Sequence, residues 1–202
     1  MAQPNRRAAL VAALGALMFA AGSANAAPAA GDMVLGNPKA KVQMVEYASL
    51  SCVHCAHFNN EVFPAFRKKY IDTGKVHYTF REILTPPHQV AAAGFLIARC
   101  AGKDRYFTVL DAMFREFDTW GKSGDPRPSL LKAGRAGGLT DQQSMACVTD
   151  EKALDALEAR VAENTKLGGI TGTPTFSFNG QTHVGPMTAA ELDAAVAQAA
   201  KK

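Results

Sequence analysis

The spacing of hydrophobic and polar positions changes several times along the chain, and each change predicts an element. Residues 41–47 run Lys-Val-Gln-Met-Val-Glu-Tyr, partly β-branched and without Gly or Pro, which predicts a strand. Phe58, Val62, Phe63 and Phe66 then recur at roughly helical spacing, so a helix is expected to begin near Cys52. Alternation at 76–82 predicts a second strand, which Pro86-Pro87 ends. From 89 to about 167 the chain is rich in Ala and Leu at helical spacing, with breaks expected at 121–128 and 134–138. The last helix of this block shows Leu154, Leu157 and Val161 on one face. Strand character returns at 175–178, Asn179-Gly180 is a hairpin turn, and 181–184 is the returning strand. Thr188 and Glu191 have the spacing of a capping box for a terminal helix reaching about Ala199.

The N-terminus changes where this chain is expected to work. Arg6 and Arg7, an apolar run over 8–21 and the small residues Ala24-Asn25-Ala26 read as a secretory signal peptide over 1–26, cleaved after Ala26. A membrane anchor is the weaker reading, because about 14 Ala-rich residues fall short of the roughly 20 that span a bilayer. The arginine pair alone does not choose the twin-arginine route over ordinary export. Removing 26 of 202 residues leaves 176 and takes away Arg6 and Arg7, lowering the net charge from +4 to +2. With no Lys/Arg run, that balance gives no argument for a nucleic-acid partner. Export to an oxidising compartment makes disulfides permissible among the four cysteines.

Cys52-Val53-His54-Cys55 is the candidate chemistry. Two cysteines at this spacing form either an exchangeable disulfide or half of a zinc site. At the start of a helix, unpaired N–H groups and the helix dipole favour an anion, so Cys52 should ionise more readily than a free thiol of pKa about 8.5. A protonated His54 would add a cation near the same sulfur. No metal is expected, because no second nearby cysteine pair completes a tetrahedral set. His57 lies two residues after Cys55, which excludes a c-type haem attachment and leaves it as a surface helix residue. The glycines at 168–172 are not followed by Gly-Lys-Ser/Thr, so no phosphate loop is read there. Cys100 and Cys147 are expected to pair as a structural disulfide closing a loop of about 48 residues, the alternative being two buried thiols.

Glu46-Tyr47-Ala48-Ser49 before Cys52-Val53-His54-Cys55, Phe58 after it, and Gly172-Thr173-Pro174-Thr175-Phe176 near the end resemble the bacterial DsbA family of thiol:disulfide oxidoreductases. The resemblance spans essentially the whole mature chain. It implies an α/β class protein, a thioredoxin-like fold formed by 27–85 and 168–202, with an inserted helical domain at 86–167. Cys52 would be the exposed nucleophile, Cys55 its buried partner, and the Thr173–Pro174 bond cis, leaving the Thr173 backbone to pair with an extended substrate peptide beside Cys52; Val53, Thr173 and Pro174 would be the substrate-binding residues. Val53 stands where the best-known members have proline, whereas His54 agrees with them. Cys100 and Cys147 resemble a second disulfide that a subset of the family carries. Glu46 shares a strand face with Val42 and Met44; it is expected as a partly buried acid that accepts the proton of Cys55, the alternative being an exposed strand-end carboxylate. The implied function is a periplasmic, monomeric oxidase that donates its Cys52–Cys55 disulfide to reduced, unfolded exported proteins. It would need no cofactor and would be recharged by a DsbB-like membrane oxidase. An isomerase or reductase on the same fold, or a periplasmic metal-binding protein, is the alternative.

Overall fold

The computed structural model describes residues 31–167 and 170–201. The expected signal segment 1–26 and its cleavage site lie outside them, as do Gly168 and Gly169. Five strands form one sheet: β1 (Met33–Gly36), β2 (Val42–Ala48), β3 (Val76–Glu82), β4 (Thr175–Phe178) and β5 (Gln181–Val184), in the order β1-β3-β2-β4-β5. β2 and β3 run parallel; every other neighbouring pair is antiparallel. β1 was not expected. Its four residues give too short a pattern to stand out, and it exists as an edge by pairing Met33 with Phe80.

The period-two alternation of β2 sorts its residues between two faces. Val42, Met44 and Ala48 enter the main core with Tyr78, Phe80, Phe176 and Phe178, while Val45 and Tyr47 join Ile83 in a smaller cluster on the opposite face. β3 is buried at all seven positions, as a central strand must be. Helix α1 runs continuously over 53–71, with α-turns at Val53–His57 and Phe63–Phe66 and π-turns at Phe58–Val62 and Arg67–Ile71. The first π-turn stands just before Pro64. That residue lacks an N–H and its ring crowds the preceding turn, so the wider turn relieves the conflict.

Among the described residues, six further helices lie between β3 and β4: α2 (His88–Cys100), α3 (Lys103–Arg115), α4 (Phe117–Ser123), α5 (Arg127–Ala136), α6 (Asp141–Val148) and α7 (Glu151–Leu167). Helix α8 (Ala189–Ala199) ends the described fold. The expected capping box forms between Thr188 and Glu191, and a second one joins Thr140 with Gln143. Two expected breaks were too wide, since α4 runs through Gly121 and α5 through Gly134. An interior glycine costs a helix about 1 kcal/mol, which tertiary packing outweighs. At Gly134 the reason is visible, because a Cβ there would collide with Ser144 Oγ of α6. α4 actually ends at Gly124, whose φ of 71° suits glycine.

The helical block is tied to the sheet through one buried carboxylate. Glu82, at the end of β3, accepts from Arg99 Nε at 2.6 Å, from Tyr106 Oη at 2.9 Å and from Arg160 Nε at 3.3 Å. Its backbone oxygen also accepts from Asn164 at 3.0 Å. Elements α2, α3 and α7 thus converge on the strand beside β2. Cys100 and Cys147 are joined, with Cα atoms 6.1 Å apart, and the bond clips α2 to α6.

Candidate active site

Cys52 caps α1. Its extended backbone (φ −97°, ψ 119°) lets the sulfur fold back over the first turn, where Sγ accepts from the Cys55 N–H at 3.2 Å. The turn before it is fixed by short side chains. Cys52 N–H donates to the Ser49 carbonyl at 3.1 Å, Ser51 Oγ donates to the Thr85 carbonyl at 2.6 Å, and Thr85 N–H donates to Ser49 Oγ at 3.2 Å. The ends of β2 and β3 are therefore bound together directly beneath the sulfur.

The two thiols are held in opposite protonation states. The hydrogen bond from the Cys55 side chain is the largest influence on Cys52, and with the Thr173 side chain and the backbone N–H groups of Cys55 and His54 it outweighs burial, bringing the pKa from 9.0 down to about 6. Burial is instead the main influence on Cys55, and together with the neighbouring Cys52 sulfur it pushes that thiol well above its ordinary value. One sulfur is built to be an anion near neutrality and the other to remain a thiol.

Cys52 is less accessible than the resemblance implied. It is 9% exposed against 0% for Cys55, because the chain before Pro174 covers it. The Thr173–Pro174 bond is cis, and the Cys52 thiol donates to the Thr173 carbonyl at 3.3 Å. Val53 is 56% exposed, and His54 and His57 also face solvent. Only the backbone of His54 is seen to act on the sulfur; its ring is turned outward.

Glu46 lies inside the fold, not at an exposed strand end. It is 3% exposed, and burial raises its pKa from 4.5 to about 8, against the lowering effect of a hydrogen bond from Tyr78. The Tyr78 hydroxyl donates to Glu46 Oε2 at 2.5 Å. Glu46 also interacts electrostatically with both cysteines. Tyr78 is the residue that sequence reasoning missed. An aromatic with a polar tip on the inward face of a strand is a weak signal until the register sets it beside an acid, and β2–β3 pairing does so by aligning Met44 with Tyr78 and Glu46 with Phe80.

Cys100 and Cys147 lie in the helical block, apart from these residues. Among the described residues, no group of three or more His, Cys, Asp and Glu side chains is placed to hold a metal ion.

Comparison with known proteins agrees with this geometry. A family model described as thioredoxin matches residues 29–198. A protein of Rickettsia bellii, named provisionally as a protein-disulfide oxidoreductase, is 37% identical over 150 residues, covering 74% of this chain and 57% of the relative. The chain thus spans little more than half the length of that curated relative. The crystal structure of Wolbachia pipientis alpha-DsbA1 superposes with a TM-score of 0.77 at 28% identity, covering 86% of this chain and 93% of that one. Oxidised BdbD from Bacillus subtilis gives a TM-score of 0.74 at 20% identity, covering 86% and 95%, and so speaks for the fold alone.

Proposed function

The chain belongs to the thioredoxin family, in its DsbA branch, and from that premise we propose that it is a thiol:disulfide oxidoreductase that donates a Cys52–Cys55 disulfide to reduced polypeptides. The single observation that carries this reading is the contrast between the two sulfurs, one lowered to about 6 and one raised. A stabilised Cys52 thiolate favours the reduced form of the pair, and this makes the disulfide oxidising.

In the oxidised protein a substrate thiolate attacks Cys52 Sγ, the Cys52–Cys55 bond breaks, and Cys55 departs as a thiolate. Glu46, protonated near neutrality, is the acid that gives this buried thiolate a proton. A second substrate thiolate then attacks the substrate sulfur of the mixed disulfide. Cys52 leaves as a thiolate, two electrons have passed from substrate to enzyme, and the low pKa of Cys52 makes it a good leaving group. The cis bond before Pro174 supports a role for Thr173 in pairing with an extended substrate chain beside Val53, in the manner of strand addition. His54 contributes its N–H to the thiolate. Cys100–Cys147 is structural.

The disulfide is itself the two-electron carrier, so the reaction needs no cofactor. The signal-like segment over 1–26 supports export to the periplasm, and hence newly exported proteins as substrates. Recharging would fall to a DsbB-like membrane oxidase, and the oxidase would act as a monomer.

The test is oxidation of a dithiol peptide by the oxidised protein. Cys52→Ala and Cys55→Ala should each abolish it, because neither variant can carry the disulfide, and Cys55→Ala given a peptide disulfide in place of the dithiol should hold the peptide on Cys52 as a mixed disulfide; full activity in either variant would overturn the proposal. A reduction potential near the roughly −270 mV of thioredoxin would exclude a strong oxidase.

A further inference from the structure

A groove opens beside the sulfur that substrate attacks. Val53, next to Cys52 and 56% exposed, lines this space of about 240 Å³ between α1 and the junction of α3 with α4. The Thr173 carbonyl touches Cys52 Sγ at 3.3 Å, so a polypeptide joined to that sulfur is held between the Thr173 edge and Val53. The walls of the groove are already fixed. Asn60 Nδ2 donates to the Phe114 carbonyl at 3.0 Å and Asn59 Nδ2 to Asp111 Oδ1 at 3.2 Å, which ties α1 to α3. Phe117, at the start of α4, stacks edge-on against the buried Trp120 with centroids 5.0 Å apart.

The lining combines apolar wall with unmatched negative charge. Val53 and Phe117 supply the first, and the exposed carboxylates of Glu61 on α1 and Asp118 on α4 supply the second. Arg115 also lines the groove, but Asp111 already engages it through hydrogen bonds at 2.8 and 3.0 Å. Glu61 acts on Arg115 only through its field, and neither Glu61 nor Asp118 has a side-chain hydrogen bond or ion pair among the described residues. With Asp111 included, three carboxylates face one guanidinium, and His57 is the remaining titratable group of the lining.

We propose that Glu61 and Asp118 are specificity-determining residues, and that the oxidoreductase favours polypeptides carrying a lysine or arginine close to the reacting cysteine. The aliphatic stem of such a side chain lies along Val53 and Phe117 while its charged head meets the carboxylates. This rests on the reading of Cys52 as the sulfur that substrate attacks, and adds which substrates are taken. Charge of this kind acts chiefly on encounter rate and choice of partner.

The experiment compares three dithiol peptides, alike except for Lys, Ala or Glu at the two positions on either side of the cysteine pair. Their oxidation by the oxidised protein is followed at about pH 8, where an ordinary imidazole is neutral. The lysine peptide should react about fivefold faster than the alanine peptide, an effect the size of one exposed ion pair, and the glutamate peptide should be slowest. The spread should narrow in about 1 M salt, where charges are screened beyond roughly 3 Å. Flanking lysines also make the peptide's own cysteines more acidic, so the deciding quantity is the Lys-to-Glu rate ratio of the parent divided by that of Glu61→Gln/Asp118→Asn. That quotient should be about fivefold or more, and Glu61→Lys/Asp118→Lys should reverse the protein's contribution, which a merely structural role would not do. A quotient of one, or a preference unmoved by the charge reversal, overturns the proposal. Failure of the parent to oxidise any of the three peptides overturns instead the reading of Cys52 and Cys55 as a disulfide donor on which the proposal rests.

Discussion

The Cys52 thiol donates to the carbonyl oxygen of Thr173 across 3.3 Å, joining residues 121 positions apart. The strand-to-helix turn and the loop before β4 are thereby one site. Anything that moves Thr173 changes both the charge on the sulfur and the edge that a substrate chain would meet.

Thr173→Val keeps that carbonyl but removes the threonine side chain, one of the groups that lower the Cys52 pKa, and is expected to raise it from about 6 toward its ordinary 9.0. One lost hydrogen bond to a charged sulfur corresponds to about one unit. The ultraviolet absorbance of the thiolate against pH measures this directly. A weaker thiolate should make the variant a weaker oxidant, so the reduction potential is expected to fall in the same experiment.

The stability of the reduced protein should depend on pH in a calculable direction. Cys52 ionises at about 6 when folded and 9.0 when unfolded. Between those values the unfolded chain binds more protons, so stability rises with pH; the contribution is complete above 9 and is lost as pH falls through 6. The oxidised protein has no thiol at Cys52. The stability of the reduced form minus that of the oxidised form should thus shrink as pH falls from 9 to 6 and then level off. Glu46 acts in the opposite sense, its raised pKa removing stability as pH rises from 4.5 through about 8. Denaturant titrations of both forms, repeated in Glu46→Gln, separate the two.

Much of this site is legible in the sequence. Cysteine spacing, the strand before it and the apolar helix after it located Cys52, and Asn179-Gly180 announced a hairpin whose φ values, 48° and 87°, suit those residues. What stayed hidden depended on partners distant in sequence. β1 has four residues and is a strand only because β3 accepts it. The burial of Glu46 follows from β4 arriving some 130 positions later to set Phe176 opposite it, so the local sequence could not separate an exposed carboxylate from a buried one. Tyr78 was invisible for the same reason. Gly121 and Gly134 misled because propensity weighs a glycine alone, whereas at 134 the fold needs the missing side chain.

Removing the Cys100–Cys147 bond should cost stability and little chemistry. Its sequence separation of 47 gives roughly 4 kcal/mol by loop-closure entropy. Neither residue contributes to the Cys52 hydrogen bonds. The double variant Cys100→Ala/Cys147→Ala is expected to unfold at a lower denaturant concentration than the parent while oxidising a dithiol peptide at a comparable rate. A large loss of rate with unchanged stability would contradict this assignment.

Glu82 poses the opposite case, a residue outside the chemistry on which the site nonetheless leans. Its carboxylate is 1% exposed and receives two arginines and a buried tyrosine, while those arginines are 19% and 27% exposed. Glu82→Ala would leave Tyr106 without an acceptor and Arg99 without its paired anion, and breaking a buried pair from one side costs about 3 to 5 kcal/mol. Partial exposure of the arginines argues for the lower end. Glu82 also lies in register with Ala48, and the next residue, Ile83, donates its N–H to the Ala48 carbonyl at 2.9 Å, just before the turn that carries Cys52. A loosened β3 end should therefore reach the active site. Glu82→Ala is expected to lose about 3 kcal/mol in urea unfolding and also to show a raised Cys52 pKa, whereas loss of stability with an unmoved thiolate titration would confine the role of Glu82 to joining helices and sheet.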